Sequence, residues 1–235
     1  MTARCAVCTT RAGQTSTFFA ASLAWTLAEA REVLLLDLDM EGGTLADLLY
    51  LRTGDSSIGN CFMERRPTAR DIDAQSVMVP DRPLLRVVPG LRAPYGSSSA
   101  EVLRHLAPAV EGLDPATVIA DLGSPLAHPG LRSPRAVGEA ITESFERVLV
   151  VIRDEPALLA RSIEVLRAAR LSHGEIVVCR QRSRAHRKLV DETIEHELPE
   201  LPVRSGWEWD ERKAMRMSDT GRPLAIPHML EELHL

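Results

Sequence analysis

Apolar residues fall in short unbroken blocks along this chain, with little of the apolar–polar alternation expected of a sheet that faces water on one side. Arg4–Cys8, Val33–Asp39, Leu84–Val88, Thr117–Asp121, Arg147–Ile152 and Glu175–Cys179 are such blocks. A strand covered on both faces reads this way, as strands of a parallel sheet do. Between the blocks the spacing changes to that of helices. Phe18, Ala21, Leu23, Ala24 and Leu27 give one helix with a broad apolar surface, and Thr44–Tyr50 gives a short one with Thr44 as candidate N-cap. Val102, Leu103, Leu106 and Val110 carry a helix over Ala100–Gly112, with a serine run before it that can cap it; Pro156–Leu171 and His186–Glu197 predict two more. Residues 51–82 are the least regular, interrupted by Gly54, Gly59, Pro67 and Pro80. No internal repeat and no Gly-, Ser- or Pro-rich linker divides the 235 residues. Strands alternating with helices predict one α/β domain over residues 1–235, a mainly parallel twisted sheet flanked by helices.

Composition narrows the function classes. Hydrophobic residues make up 45% of the chain but aromatics only 4%, so the core is expected to be Leu, Val, Ile and Ala. A formal net charge of −5 argues against a globally basic nucleic-acid binder and leaves only a local patch. Arg180, Arg182, Arg184, His186, Arg187 and Lys188 form one after the last clear block. They read either as a nonspecific contact to DNA phosphates or as a solvated helix start balanced by Asp191, Glu192 and Glu195. No apolar run approaches the ~18 residues of a membrane span, and a cytoplasmic setting with reduced thiols is expected. Cys5 and Cys8 make a C-x-x-C, but their apolar run reads as a buried strand. Trp207 and Trp209 read as packing under a loop, or as a partner face if both are exposed.

Candidate chemistry sits at three block ends, which in an open α/β sheet is where ligands bind. The first block runs into Thr9-Thr-Arg-Ala-Gly-Gln-Thr-Ser16 and then a helix, the order of a phosphate-binding loop. Backbone amides of Thr10, Arg11, Ala12, Gly13, Gln14, Thr15 and Ser16 are the candidate anion site. Yet the first lysine of the chain is Lys188, and Gln14 stands where such a loop carries its lysine. Thr15, Asp37 and Asp121 are candidate magnesium ligands, with Asp39 left to orient an attacking water. An acid that ends a buried strand can also be a simple turn or cap.

Three further stretches accompany that loop: Leu34-Leu-Leu-Asp-Leu-Asp-Met-Glu-Gly-Gly43, Val118-Ile-Ala-Asp-Leu-Gly-Ser-Pro125 and the closing Gly221-Arg-Pro-Leu224. In this order they resemble the deviant Walker A ATPases, the ParA/MinD-like family, over nearly the whole chain, with CpaE/TadZ-like members as the nearest subgroup. The resemblance implies a P-loop NTPase-like fold, ATP with magnesium, and a face-to-face homodimer with nucleotide between subunits. It also implies a protein partner and, as in ParA-like proteins, nonspecific DNA binding. The departures are as specific. Thr9 stands at the family's signature lysine, Gln14 at its P-loop lysine, Thr10 and Arg11 at two glycines, and Cys179 at an adenine-reading asparagine. The expectation is therefore a degenerate member, a pseudo-ATPase acting as a dimerising spatial regulator or scaffold. The alternative is a slow ATPase with Arg11 in place of lysine, in cell positioning, DNA partition or pilus localisation.

Overall fold

The computed structural model describes residues 3–13, 15–62, 66–92, 99–114, 117–127, 133–180 and 184–234, with side chains left out at 3, 184, 185 and 205. Eight strands form one sheet in the order β3-β4-β2-β5-β1-β6-β7-β8. They are β1 Ala3–Cys8, β2 Val33–Asp37, β3 Val77–Val79, β4 Arg82–Val88, β5 Thr117–Asp121, β6 Arg147–Arg153, β7 Gly174–Arg180 and β8 Val203–Glu208. Every pair is parallel except β3 with β4. The six apolar blocks are the six strands between the two edges. Both edge strands escaped the sequence. β3 is three residues long, and β8 carries Arg204, Gly206 and Glu208 among its apolar positions. An edge strand needs no continuous apolar run, so the signal that found the others is absent there.

Ten helices are seen among the described residues: α1 Ser16–Leu27, α2 Leu45–Leu48, α3 Gly59–Phe62, α4 Ala69–Ala74, α5 Ser99–Glu111, α6 Pro134–Ser144, α7 Pro156–Ala169, α8 Arg184–Glu197, α9 Glu211–Thr220 and α10 Pro227–Glu232. The irregular 51–82 stretch thus holds two short helices, and α6 was not legible. Strand side chains alternate between two cores. Ala6, Cys8, Leu34 and Leu36 meet helices α3 to α8 on one face. Cys5, Val7, Val33 and Leu35 meet α1, α2, α9 and α10 on the other. The two cysteines of the C-x-x-C therefore lie in different cores, and burial pushes both thiols up to about 12. They are strand packing, inert as thiolates.

The helix after β1 and the helix after β5 lie on opposite faces, while β1 and β5 are neighbours. The chain reverses its direction of winding there, which opens a crevice at the carboxyl ends of those two strands. No helix among the described residues is long and apolar enough to cross a membrane.

Candidate nucleotide-type site at the carboxyl edge of the sheet

The crevice is a cavity of about 820 Å³. Its floor is the loop after β1, whose first residue is tied to the neighbouring strand end by Thr9 N–H donating to the Gly123 carbonyl at 2.9 Å. One wall is the segment after β2, and the other is α9 with Trp209 before it. Ala12, Gly13, Thr15 and Ser16 line the cavity; Gln14 lies outside the described residues. Thr10 and Arg11 were expected on the anion site and are not on the cavity wall. Thr10 is buried with its hydroxyl 2.7 Å from Ser162 on α7, and Arg11 is exposed. One of these side chains packs sideways onto a helix, and the other stays in water.

Gly13 and Thr15 both have positive φ, 80° and 71°. For glycine that conformation is free, but for a β-branched residue it is strained. Thr15 holds it as the residue before α1, and its hydroxyl lies 3.4 Å from Cys179 Sγ on β7. The candidate magnesium ligand is thus turned across the sheet, away from Asp121. Thr17, the second residue of the helix, is the one whose hydroxyl hydrogen-bonds the Asp121 carboxylate. The register of the Thr-Ser-Thr run hid that, because any of its hydroxyls satisfied the motif.

Asp37 and Asp121 face each other in register on β2 and β5, and both are almost fully buried. Burial, with Asp121 close by, pushes Asp37 up to about 8, although the amides of Leu45 and Asp39 donate to it at 3.0 and 3.3 Å. Burial also pushes Asp121 up to about 6 against the pull of Thr17 and the Gly123 amide. Asp37 is not on the cavity wall, and glycine backbone packs closely on its carboxyl: a Cβ placed on Gly90 would stand 2.6 Å from its Cγ. Asp121 keeps one buried oxygen, Oδ2, with no hydrogen-bond partner among the described residues. Asp39 lines the cavity half-buried, raised by burial, and accepts from the Glu41 amide at 3.0 Å. An orphaned carboxylate oxygen suits a cation, so the set fits magnesium in part. It fits a polyphosphate poorly, because Asp39, Glu41, Asp47, Glu211 and Asp219 all line the cavity against one guanidinium, Arg153. Five carboxylates and one cation leave a formal −4 among the described lining residues.

Arg153 was missed in the sequence. It ends β6 as Asp121 ends β5, lines the cavity, and its Nη1 is 3.4 Å from the Gly13 carbonyl. Its position at a strand end beside the crevice was the available signal. The two tryptophans part company. Trp207 is buried 5.4 Å from Phe19, whereas Trp209 lines the cavity, edge-on to Phe18 at 5.6 Å.

The basic run is largely paired off. Arg180 is 9% exposed and donates to both Asp191 oxygens at 3.0 Å. Arg187 binds Glu208, and Lys188 is within 3.5 Å of Glu192. Arg182 lies outside the described residues, as does the Arg184 side chain. Carboxylates thus sit on three of the cations that a DNA contact would use.

No family model and no curated protein sequence matches the chain. Solved structures do. A ParA family ATPase from Chlorobium tepidum superimposes with a TM-score of 0.73 at 17% identity, covering 99% of both chains. The septum site-determining protein MinD of Pyrococcus horikoshii, complexed with Mg-ADP, gives 0.67 at 19% identity over 95% of this chain and 87% of that one. A chain of the MinC:MinD cell division protein complex of Aquifex aeolicus gives 0.68 at 16% identity over 94% of this chain and 87% of that one. At such identities the likeness speaks for architecture, and the fold of this chain is that of the ParA and MinD ATPases.

Proposed function

We propose that the chain is a degenerate ParA/MinD-like protein of the CpaE/TadZ kind. It acts as a dimerising spatial regulator or scaffold through partner binding, and ATP binding and hydrolysis are weak or absent. The observation that carries this is the charge of the cavity, one guanidinium among five carboxylates where the fold would place a polyanion. A charge-assisted hydrogen bond is worth about 1.5–3 kcal/mol, or roughly 10- to 150-fold in affinity. Losing the lysines at positions 9 and 14 removes two, and phosphoryl transfer suffers more than binding because charge develops as the bond breaks. The αL turn at Thr15 supports the same reading, since its hydroxyl is engaged with Cys179. Partner binding is brought over from the MinC:MinD neighbour, and the homodimer from the family resemblance. With Arg180, Arg187 and Lys188 paired to acids, nonspecific DNA binding is the weaker output.

One observation favours a second reading, a slow ATPase: Arg153 lines the cavity beside the loop. A single experiment separates the two. Phosphate release from ATP is followed with magnesium present, while light scattering on a sizing column reports the oligomer with and without nucleotide. The scaffold reading expects release at the buffer background and a dimer indifferent to ATP. Steady release that Arg153→Ala abolishes would establish the ATPase instead.

A further inference from the structure

Helices α7 and α8 lie side by side over one face of the sheet, with a groove of about 450 Å³ between them. Its apolar lining includes Leu159 and Ile163 from α7 and Val190 from α8, all buried. The polar groups along it are already engaged within the chain. His186 Nε2 lies 2.9 Å from the Asp154 carbonyl, and Thr193 donates its hydroxyl to the Leu189 carbonyl at 2.7 Å. Arg167 is held by Glu197, and Glu164 by Arg161 at 2.8 Å. An occupant is therefore offered apolar surface. On the α8 lip of the same groove stands Leu189, 61% exposed. A hole with an apolar knob beside it is a self-complementary patch, because a two-fold axis can carry each knob into the other copy's hole. The charges of α8 point to the same occupant. Its exposed stripe runs Lys188, Glu192, Glu195, positive towards the N-terminus and negative towards the C-terminus. A two-fold axis perpendicular to α8 makes its two copies antiparallel, and each lysine then meets the other copy's acids.

We propose that the α7–α8 groove is a homodimer interface, filled by Leu189 of a second copy of this chain. The proposal rests on the reading of the chain as a dimerising scaffold and names the face that dimerises. That face shares no lining residue with the crevice at the carboxyl edge of the sheet, so a nucleotide there has no direct hold on it. One leucine and one charged stripe from each copy make a small contact, so the dimer is concentration-dependent. Its charge pairs are exposed, and association weakens as salt rises.

Sedimentation velocity of the full chain over a concentration series, without nucleotide, reads the monomer–dimer constant. Leu189→Asp is expected to weaken dimerisation at least about 10-fold. Lys188→Glu is expected to weaken it in the same direction, because the stripe then carries one sign and repels its copy. Adding Glu192→Lys and Glu195→Lys to Lys188→Glu reverses every charge at once, and in a two-fold pairing that restores the dimer. All these positions are exposed, so the fold is retained, which a urea midpoint confirms for each variant. Met215, equally exposed at 61% but lining the crevice, serves as the matched comparison. Met215→Ser is expected to leave the constant within about twofold. A dimer that survives Leu189→Asp overturns the proposal. If Met215→Ser then breaks that dimer, association runs through the crevice face, and the scaffold reading stands without this interface. A chain that stays monomeric at every concentration overturns the proposal together with the dimer reading beneath it.

Discussion

In the presence of a chelator, the protein is expected to lose stability as pH rises from about 5 to 8, the reverse of most proteins, whose paired carboxylates favour the upper part of that range. Asp37 and Asp121 are the cause. Asp37 binds its proton up to about pH 8 in the fold, against an ordinary 3.8, and Asp121 up to about 6. Between those values and 3.8 the folded chain holds more protons than the unfolded one, so deprotonation favours unfolding. The penalty is absent below the unfolded pKa and complete above the folded one. Each pH unit costs about 1.4 kcal/mol per group. The two sites interact, so the summed loss between pH 5 and 8 is expected at ~2–4 kcal/mol. Urea midpoints measured across that range check it, and Asp37→Asn, which keeps an oxygen for the Leu45 amide, is expected to flatten the slope. A midpoint that climbs or stays level would mean that both carboxylates are ionised in the fold.

How much of this was legible in the sequence follows from what each element must bury. The six central strands announced themselves because both faces of each are covered, which leaves only apolar residues between the ends. Edge strands β3 and β8 gave no such run. That Asp37 and Asp121 end neighbouring strands was legible from the apolar blocks alone, and Asp39, two residues past the first of them, is the one on the cavity wall. Side-chain direction did not follow. Thr15 and Thr17 are equivalent as letters, and only a backbone turn with φ of 71° decides which of them meets Asp121. The cation also went astray. Arg11 stood in the loop and drew attention, while Arg153 reaches the cavity from a strand far along the chain, a relation that only the β1–β6 pairing creates.

Asp191→Ala is expected to destabilise the protein by ~2–4 kcal/mol, the second large effect. Arg180 ends β7 under the β8 edge, where a Cβ on Gly206 would fall 2.0 Å from its Nε. The glycine leaves room for a guanidinium that is 9% exposed and fixed by both Asp191 oxygens at 3.0 Å, while its Nη1 has no partner among the described residues. Removing the carboxylate strands a buried charge, which costs far more than a surface ion pair contributes. Asp191 is itself partly exposed, which places the effect at the lower end of the range for buried pairs. Chemical denaturation measures the loss, and Arg180→Met added to Asp191→Ala is expected to recover most of it, because no unpaired charge then remains. A cost below about 1 kcal/mol for the single variant would show that water reaches the guanidinium after all.

Calorimetric titration of the chain with ATP and magnesium tests the electrostatics of the cavity most directly. No saturable heat is expected below about 1 mM nucleotide, an affinity weaker than roughly −4 kcal/mol. Saturable binding in the micromolar range would contradict it, since the loop would then hold a triphosphate without the lysines that the fold ordinarily supplies.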